Sequence, residues 1–271
     1  MKKVKNLATL NLIFYVIAFA VSNLSQLKLF GGVTNKDISD KYDTVFTPAG
    51  LTFAIWGVIY LSLFFFTIRS LIKATKEDIH SENSQDVLRI GNLFIINNIA
   101  TTFWVFAFTY EYILLSTILI IIQLITLVMI FVRLNLLDRS KTFENKLFTQ
   151  FPLSIYFAWL CVANVANISL CLVYFKWDGF GISPGIWAMA LVSVVILLSI
   201  FIILAKRNWF FGLVAIWSLY GIYLKRQQVD PQQYPILMQL CLYGLALLAV
   251  LVIVRIVLNL KHKTHAQAIN P

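Results

Sequence analysis

Residues 152–167 read PLSIYFAWLCVANVAN, a charge-free run that opens on a proline and closes on an amide. At 100° per residue, Pro152, Tyr156, Trp159, Ala163 and Asn167 fall within about 80° of arc, on one helical stripe. An amide turned toward hydrocarbon would lack a hydrogen-bond partner, so this stripe is expected to face protein or a cavity. Two other segments repeat the pattern. Asn97, Thr101, Trp104 and Phe108 span about 60° of arc. In FTPAGLTFAIWGVIY, residues 46–60, Phe53, Trp56 and Tyr60 recur at spacings that make them surface neighbours on a helix. Read from the residues alone, helix packing is the simpler account, because membrane helices use Asn and Thr as interhelical glue. Trp177, Trp187 and Trp209 lie near span ends and fit an interfacial aromatic belt.

The whole chain has this character. It has 271 residues, of which 60% are apolar and 13% charged, far from the roughly 25% charged residues of globular domains. Eight charge-free stretches follow: Leu7 to Leu27, Leu51 to Ile68, Ile90 to Tyr110, Tyr112 to Val132, Leu147 to Phe175, Gly179 to Ala205, Asn208 to Leu224 and Pro231 to Val254. Each supplies the roughly 17–25 residues that a helix needs to cross a bilayer. The predicted fold class is therefore an all-α integral membrane protein with about eight transmembrane helices. Only a tight turn at Glu111 separates the third span from the fourth.

Placing the amino terminus inside puts 16 Lys and Arg on that side against 6 on the other. Both termini are thus expected in the cytoplasm, in a multi-pass protein of the cell membrane. The net charge of +10 follows from this orientation and contact with anionic lipid headgroups, so no nucleic-acid partner is expected. The opening MKKVKNLATLNLIFYVIAFAVSN also has the form of a signal peptide, and cleavage there would leave seven spans. Cys161, Cys171 and Cys241 lie inside spans and read as buried apolar residues. Cys161 and Cys171 are about 15 Å apart along one helix axis, too far for a disulfide. His80, His262 and His265 fall in loops or the tail, and no metal site is expected.

Two connections are long. Residues 28–47 are external with mixed charge, and residues 73–89 read as a solvated linker or a short surface helix. No Asp, Glu, Lys or Arg lies near the centre of a span, which disfavours a proton- or sodium-coupled transporter.

Taken together, three segments resemble the TspO/translocator (tryptophan-rich sensory protein) family. Its second helix opens with Trp-Thr-Pro-Pro-Gly-Trp and continues with Phe, Trp and Tyr; here Phe46, Thr47, Pro48, Ala49, Gly50 and Leu51 precede Phe53, Trp56 and Tyr60. Thr101, Trp104 and Phe108, with Asn97 one turn earlier, are similar to its third helix. Trp159, Ala163 and Asn167 are similar to the Trp, Ala and Asn of its fifth. The chain departs from the pattern at Ala49 and Leu51, in the shorter step from Phe53 to Trp56, and in having three further helices after residue 175.

The resemblance implies a TspO-like five-helix membrane bundle over residues 1–175, followed by three additional helices and a short cytoplasmic tail over 176–271. It implies a sensor or carrier binding a flat hydrophobic molecule, such as a porphyrin or another tetrapyrrole, through Pro48, Gly50, Phe53, Trp56, Tyr60, Asn97, Thr101, Trp104, Tyr156, Trp159, Ala163 and Asn167. No cofactor is required beyond such a ligand. The expected partners are the lipid bilayer, a hydrophobic small molecule and a second copy of the chain. A multi-pass permease or membrane subunit of a transport complex is the alternative. Catalysis, as Trp-dependent porphyrin breakdown through Trp56 and Trp159, is the least favoured, because no acid–base pair or activated nucleophile occurs at membrane depth. Reporter fusions after Ala74, Ser140 and Ala266 should read as cytoplasmic and one after Asp37 as external. A cytoplasmic signal at Asp37 would overturn this orientation.

Overall fold

The computed structural model describes residues 1–136 and 140–269, with side chains described as far as residue 259. The chain is an all-helical, multi-pass membrane protein, and no strand occurs among the described residues. In order, α1 (Lys2–Gln26), α2 (Asn35–Lys41), a 3-10 turn (Gly50–Ala54), α3 (Ile55–Lys76), α4 (Glu82–Ile90), α5 (Leu93–Thr109) and α6 (Ile113–Leu134) make up the first half. Then come α7 (Phe143–Asn145), a π-helical turn (Lys146–Gln150), α8 (Phe151–Tyr174), a 3-10 turn (Gly179–Gly181), α9 (Pro184–Ala205), α10 (Trp209–Val229) and α11 (Pro235–Ile269).

Every charge-free stretch is represented by a helix. Among the described residues, six helices are long and apolar enough to span a membrane singly, and α4 with α5, bent by 54° at their junction, makes a seventh. The helix α10 falls short of that apolar content; its last two turns carry Lys225, Arg226, Gln227 and Gln228.

Local chemistry accounts for the breaks. At the α5–α6 junction Glu111 adopts φ 60°, while the Tyr112 amide donates to Ala107 O and the Glu111 amide to Phe108 O, at 2.7 and 3.2 Å. This is a Schellman-type stop, where glycine is usual. Glutamate is held there because its carboxylate takes hydrogen bonds from Lys41 Nζ, at 2.6 Å, and from the Tyr42 hydroxyl. Thr34 and Asp37 form a capping box that starts α2. Ser81 caps α4 by accepting from the Ser84 amide. Residues 73–89 are not a solvated linker throughout: Asn83, Ser84 and Asp86 in α4 are buried. Val87 packs with Val4, Leu7 and Ala74, Asn83 Nδ2 donates to Ser70 O at 3.1 Å, and Asp86 pairs with Lys141 at 3.1 Å. The short apolar face of α4 outweighs its high polar content.

The helix α8 is central. In Phe143–Tyr174, 61% of the most apolar stretch is buried, against 22% for Pro235–Asn259 in α11. One large cluster joins α3, α5, α6 and α8 around Trp159, Phe66, Phe94 and Ile120. A second joins α9, α10 and α11 to Val162 of α8 and Phe46. The helix α10 also packs on α8 and on the 3-10 turn before α3, so the residues after 175 sit against the first five spans.

Polar glue concentrates where α5, α6 and α8 meet. Tyr156 Oη donates to Asn97 Oδ1 at 2.8 Å, and Asn97 Nδ2 donates to Gln123 O and Thr126 Oγ1 at 3.0 and 2.9 Å. Thr101 Oγ1 lies 2.9 Å from Asn97 O, 3.0 Å from Gln123 Oε1 and 3.2 Å from Tyr156 Oη. Replacing Asn97 with Leu removes the acceptor of the Tyr156 hydroxyl and the donor to Gln123 O and Thr126 Oγ1, so it should destabilise the fold by about 1–3 kcal/mol. Tyr156→Phe should cost less, on the order of 1 kcal/mol. Melting curves in a fixed detergent measure both, and unchanged curves for Asn97→Leu would mean that the hub contributes nothing to stability.

Candidate functional site

A cavity of about 790 Å³ lies between α1, α3, α5, α6 and α8. That volume falls within the 300–1,000 Å³ typical of small-molecule sites. One wall comes from α3, because the 3-10 turn delivers Phe53 and the helix then repeats aromatic residues at positions 56 and 60. Trp56 stacks on Tyr60 with ring centres 5.4 Å apart and planes at 23°. Trp159, on α8, meets Phe53 and Trp56 edge-on, both at 6.1 Å. Trp104 and Phe108 of α5 stack at 5.1 Å.

Hydrogen bonds fix these rings. Trp104 Nε1 donates to Asn167 Oδ1 at 3.0 Å, and Asn167 Nδ2 donates to Thr117 Oγ1 at 2.8 Å. Tyr60 Oη donates to Ser22 Oγ at 2.7 Å, and Tyr15 Oη to Tyr60 O at 2.7 Å. The two amide-bearing stripes of α5 and α8 therefore face each other and the cavity rather than lipid. Trp159 Nε1 and Gln123 Nε2 are buried without hydrogen-bond partners, and both residues line the cavity.

Of the residues singled out in the sequence, Pro48, Gly50, Phe53, Trp56, Tyr60, Trp104, Trp159, Ala163 and Asn167 line this one cavity. Asn97, Thr101 and Tyr156 do not; they form the hub behind the wall. Their amide and hydroxyl groups are used up between helices, while the Tyr156 ring abuts Trp56 at 6.1 Å. Sequence reasoning missed the α1 wall of Tyr15, Phe19 and Ser22, and it missed Gln123. The signal for Gln123 was present: it is an amide in the middle of an apolar span, the same criterion that selected Asn97 and Asn167. Phe19, Leu61 and Phe64 line the cavity and are also exposed, so it reaches toward the seam of α1 and α3.

The mouth is polar. Asn23, Gln26, Asn35, Lys36 and Ser39 line it, and among the described lining residues Lys36 carries the only formal charge. Lys36 pairs with Asp40, which raises its pKa above the usual lysine value. Burial opposes ionisation of Asp40, yet its bonds to Lys36 and Lys225 outweigh that and leave its pKa lowered. Asp37 is held down to about 2, first by the Thr34 amide and then by Lys28. Glu111 is lowered by Lys41 and then Tyr42. Among the described residues, no group of three His, Cys, Asp or Glu side chains is placed to hold a metal. The arrangement suits a flat apolar body with a polar edge.

The chain matches a family described as TSPO-like protein over residues 8–255. No curated protein and no solved structure matched it.

Depressed carboxylate pKa values stabilise the folded mouth above the unfolded values, near 4. That contribution is lost as pH falls through the folded ones. A spin label at Leu29→Cys, in the exposed loop next to Lys28, should keep one mobility from pH 8 to about 4 and gain a mobile component as pH falls on toward 2, where folded Asp37 takes up its proton. A mobile component already present near pH 7 would contradict these pairings.

Proposed function

Because this chain belongs to the TSPO-like protein family, we propose that it is a membrane sensor or carrier that binds a flat hydrophobic ligand, a porphyrin or similar tetrapyrrole, in the cavity between α1, α3, α5, α6 and α8. The observation that carries this reading is the cavity wall itself: four ring systems, Phe53, Trp56, Trp104 and Trp159, surround about 790 Å³ of space at membrane depth. A purely structural packing of these rings would close that space, because interiors pack to crystal-like density. Aromatic walls bind flat ring systems through offset and edge-to-face contacts. The unpartnered Trp159 indole N–H offers a donor to an acceptor on the ligand.

In this reading the protein binds and does not turn its ligand over. Among the described residues, no pair of carboxylates or imidazoles lines the cavity, so general acid–base chemistry lacks its usual groups there. Both termini face the cytoplasm, and the polar mouth faces outward.

Titration with protoporphyrin, haem and a sterol, followed by ligand or tryptophan fluorescence, tests the reading. Trp56→Phe and Trp159→Phe should each keep the fold and weaken a flat aromatic ligand by about 0.5–1.5 kcal/mol through lost ring contact. Asn167→Leu frees the Trp104 indole and should cost a further 1–3 kcal/mol or so in affinity. If none of the three ligands saturates the wild-type protein, or if all three variants bind unchanged while their melting temperatures fall together, the wall is structural and the proposal fails.

A further inference from the structure

The α10 helix contributes no residue to the cavity lining, yet from Trp217 onward it is tied at five points to the segment that forms the cavity mouth. The Ala49 amide donates to Gly221 O at 2.9 Å. Trp217 Nε1 donates to Thr52 O at 2.9 Å. Lys225 Nζ lies 2.9 Å from Asp40 Oδ1, and Arg226 Nη2 lies 3.3 Å from Asp43 Oδ2. Finally, α10 approaches the 3-10 turn so closely that a Cβ on Gly221 would sit 2.0 Å from Thr52 Oγ1 and 2.9 Å from Thr52 Cβ.

These ties bracket residues that line the cavity. Lys36 and Ser39 precede Asp40, Pro48 adjoins Ala49, and Gly50 and Phe53 flank Thr52. Asp40 itself bridges Lys225 on α10 to Lys36 at the mouth. The Arg226 side chain is 2% exposed and is also held by Asp230 at 2.7 Å, so it acts as a fixed post rather than a loose surface charge. Ala49 and Thr52 contribute backbone atoms, which leaves their bonds insensitive to side-chain motion at the mouth.

We propose that α10 from Trp217 to Arg226 is a positioning element for the ligand site: Trp217, Gly221, Lys225 and Arg226 hold the segment 40–52 in place and thereby set how fast ligand passes the mouth. This inference rests on the binding reading above. It gives the helices beyond residue 175 a part in the site that they do not line.

The test uses the full chain in phosphatidylcholine nanodiscs, with Trp217→Phe, Arg226→Gln and Gly221→Val. Trp217→Phe and Arg226→Gln each remove one tie without adding bulk, so they carry the test if Gly221→Val fails to fold. Without ligand, hydrogen exchange at the amides of residues 40–54 should quicken by about tenfold or more in the variants while α5 and α8 stay protected. With protoporphyrin, followed by its own fluorescence in stopped flow, association and dissociation rates should rise together by roughly tenfold, leaving Kd within about threefold.

Variants that retain wild-type exchange at residues 40–54 would overturn the inference. So would faster exchange there with unchanged association and dissociation rates, since ligand would then pass elsewhere. If wild-type protein does not bind protoporphyrin, the binding reading fails on that result, and the exchange measurement alone decides whether α10 holds the segment.

Discussion

At membrane depth there is no water to satisfy a stray polar group, and the architecture of this chain depends on that constraint. Asn97, Thr101, Gln123, Thr126 and Tyr156 come from three helices, and they satisfy most of one another's polar atoms in a single hub. Interhelical bonds of this kind are individually modest, about 0.6 kcal/mol on average in a membrane. Their importance is geometric, because a polar atom with one acceptable partner admits one helix register. Once α5, α6 and α8 are locked at the hub, Trp104 reaches Asn167 and the rings of α8 face those of α3.

The cavity follows from where that locking stops. Beside the hub, the wall residues are large aromatics that stack along a helix, Trp56 on Tyr60 and Trp104 on Phe108, and meet edge-on between helices. Trp56 and Phe53 both abut Trp159 at 6.1 Å, and the open space lies beside these contacts, between the walls. Tyr60 is held from α1 by Ser22, so the first helix closes the far side of the site and is not merely an anchor. The Trp159 N–H and Gln123 Nε2 then remain as unpartnered donors beside a largely apolar space.

At the outer end of the cavity a different physics operates. Outside hydrocarbon, ion pairs between exposed side chains are weak one at a time, yet here they form a connected set. Lys41 and Tyr42 hold Glu111, and Lys225 and Arg226 hold Asp40 and Asp43. The first group ties α2 to the α5–α6 turn, and the second ties the same segment to α10. Backbone bonds to Ala49 and Thr52 reinforce the second tie close to Phe53, where the α3 wall begins.

The sequence by itself determined the spans, because apolar length and the absence of mid-span charge are properties of the chain alone. It also picked out one face on three of the helices. Periodicity put Asn97, Trp104, Trp159 and Asn167 on inward stripes, and an intramembrane amide has few tolerable directions. Only the tertiary structure decided how those residues divide. Asn97, Thr101 and Tyr156 share the stripes of the wall residues, but a neighbouring helix within 3 Å or so turns them into glue, whereas the Trp159 N–H meets no acceptor. The α1 wall, the burial of α4 and the grip of α10 on residues 40–52 were likewise invisible along the chain. Each depends on contacts between residues far apart in sequence, such as Arg226 with Asp43, and periodicity within one helix carries no record of its neighbour.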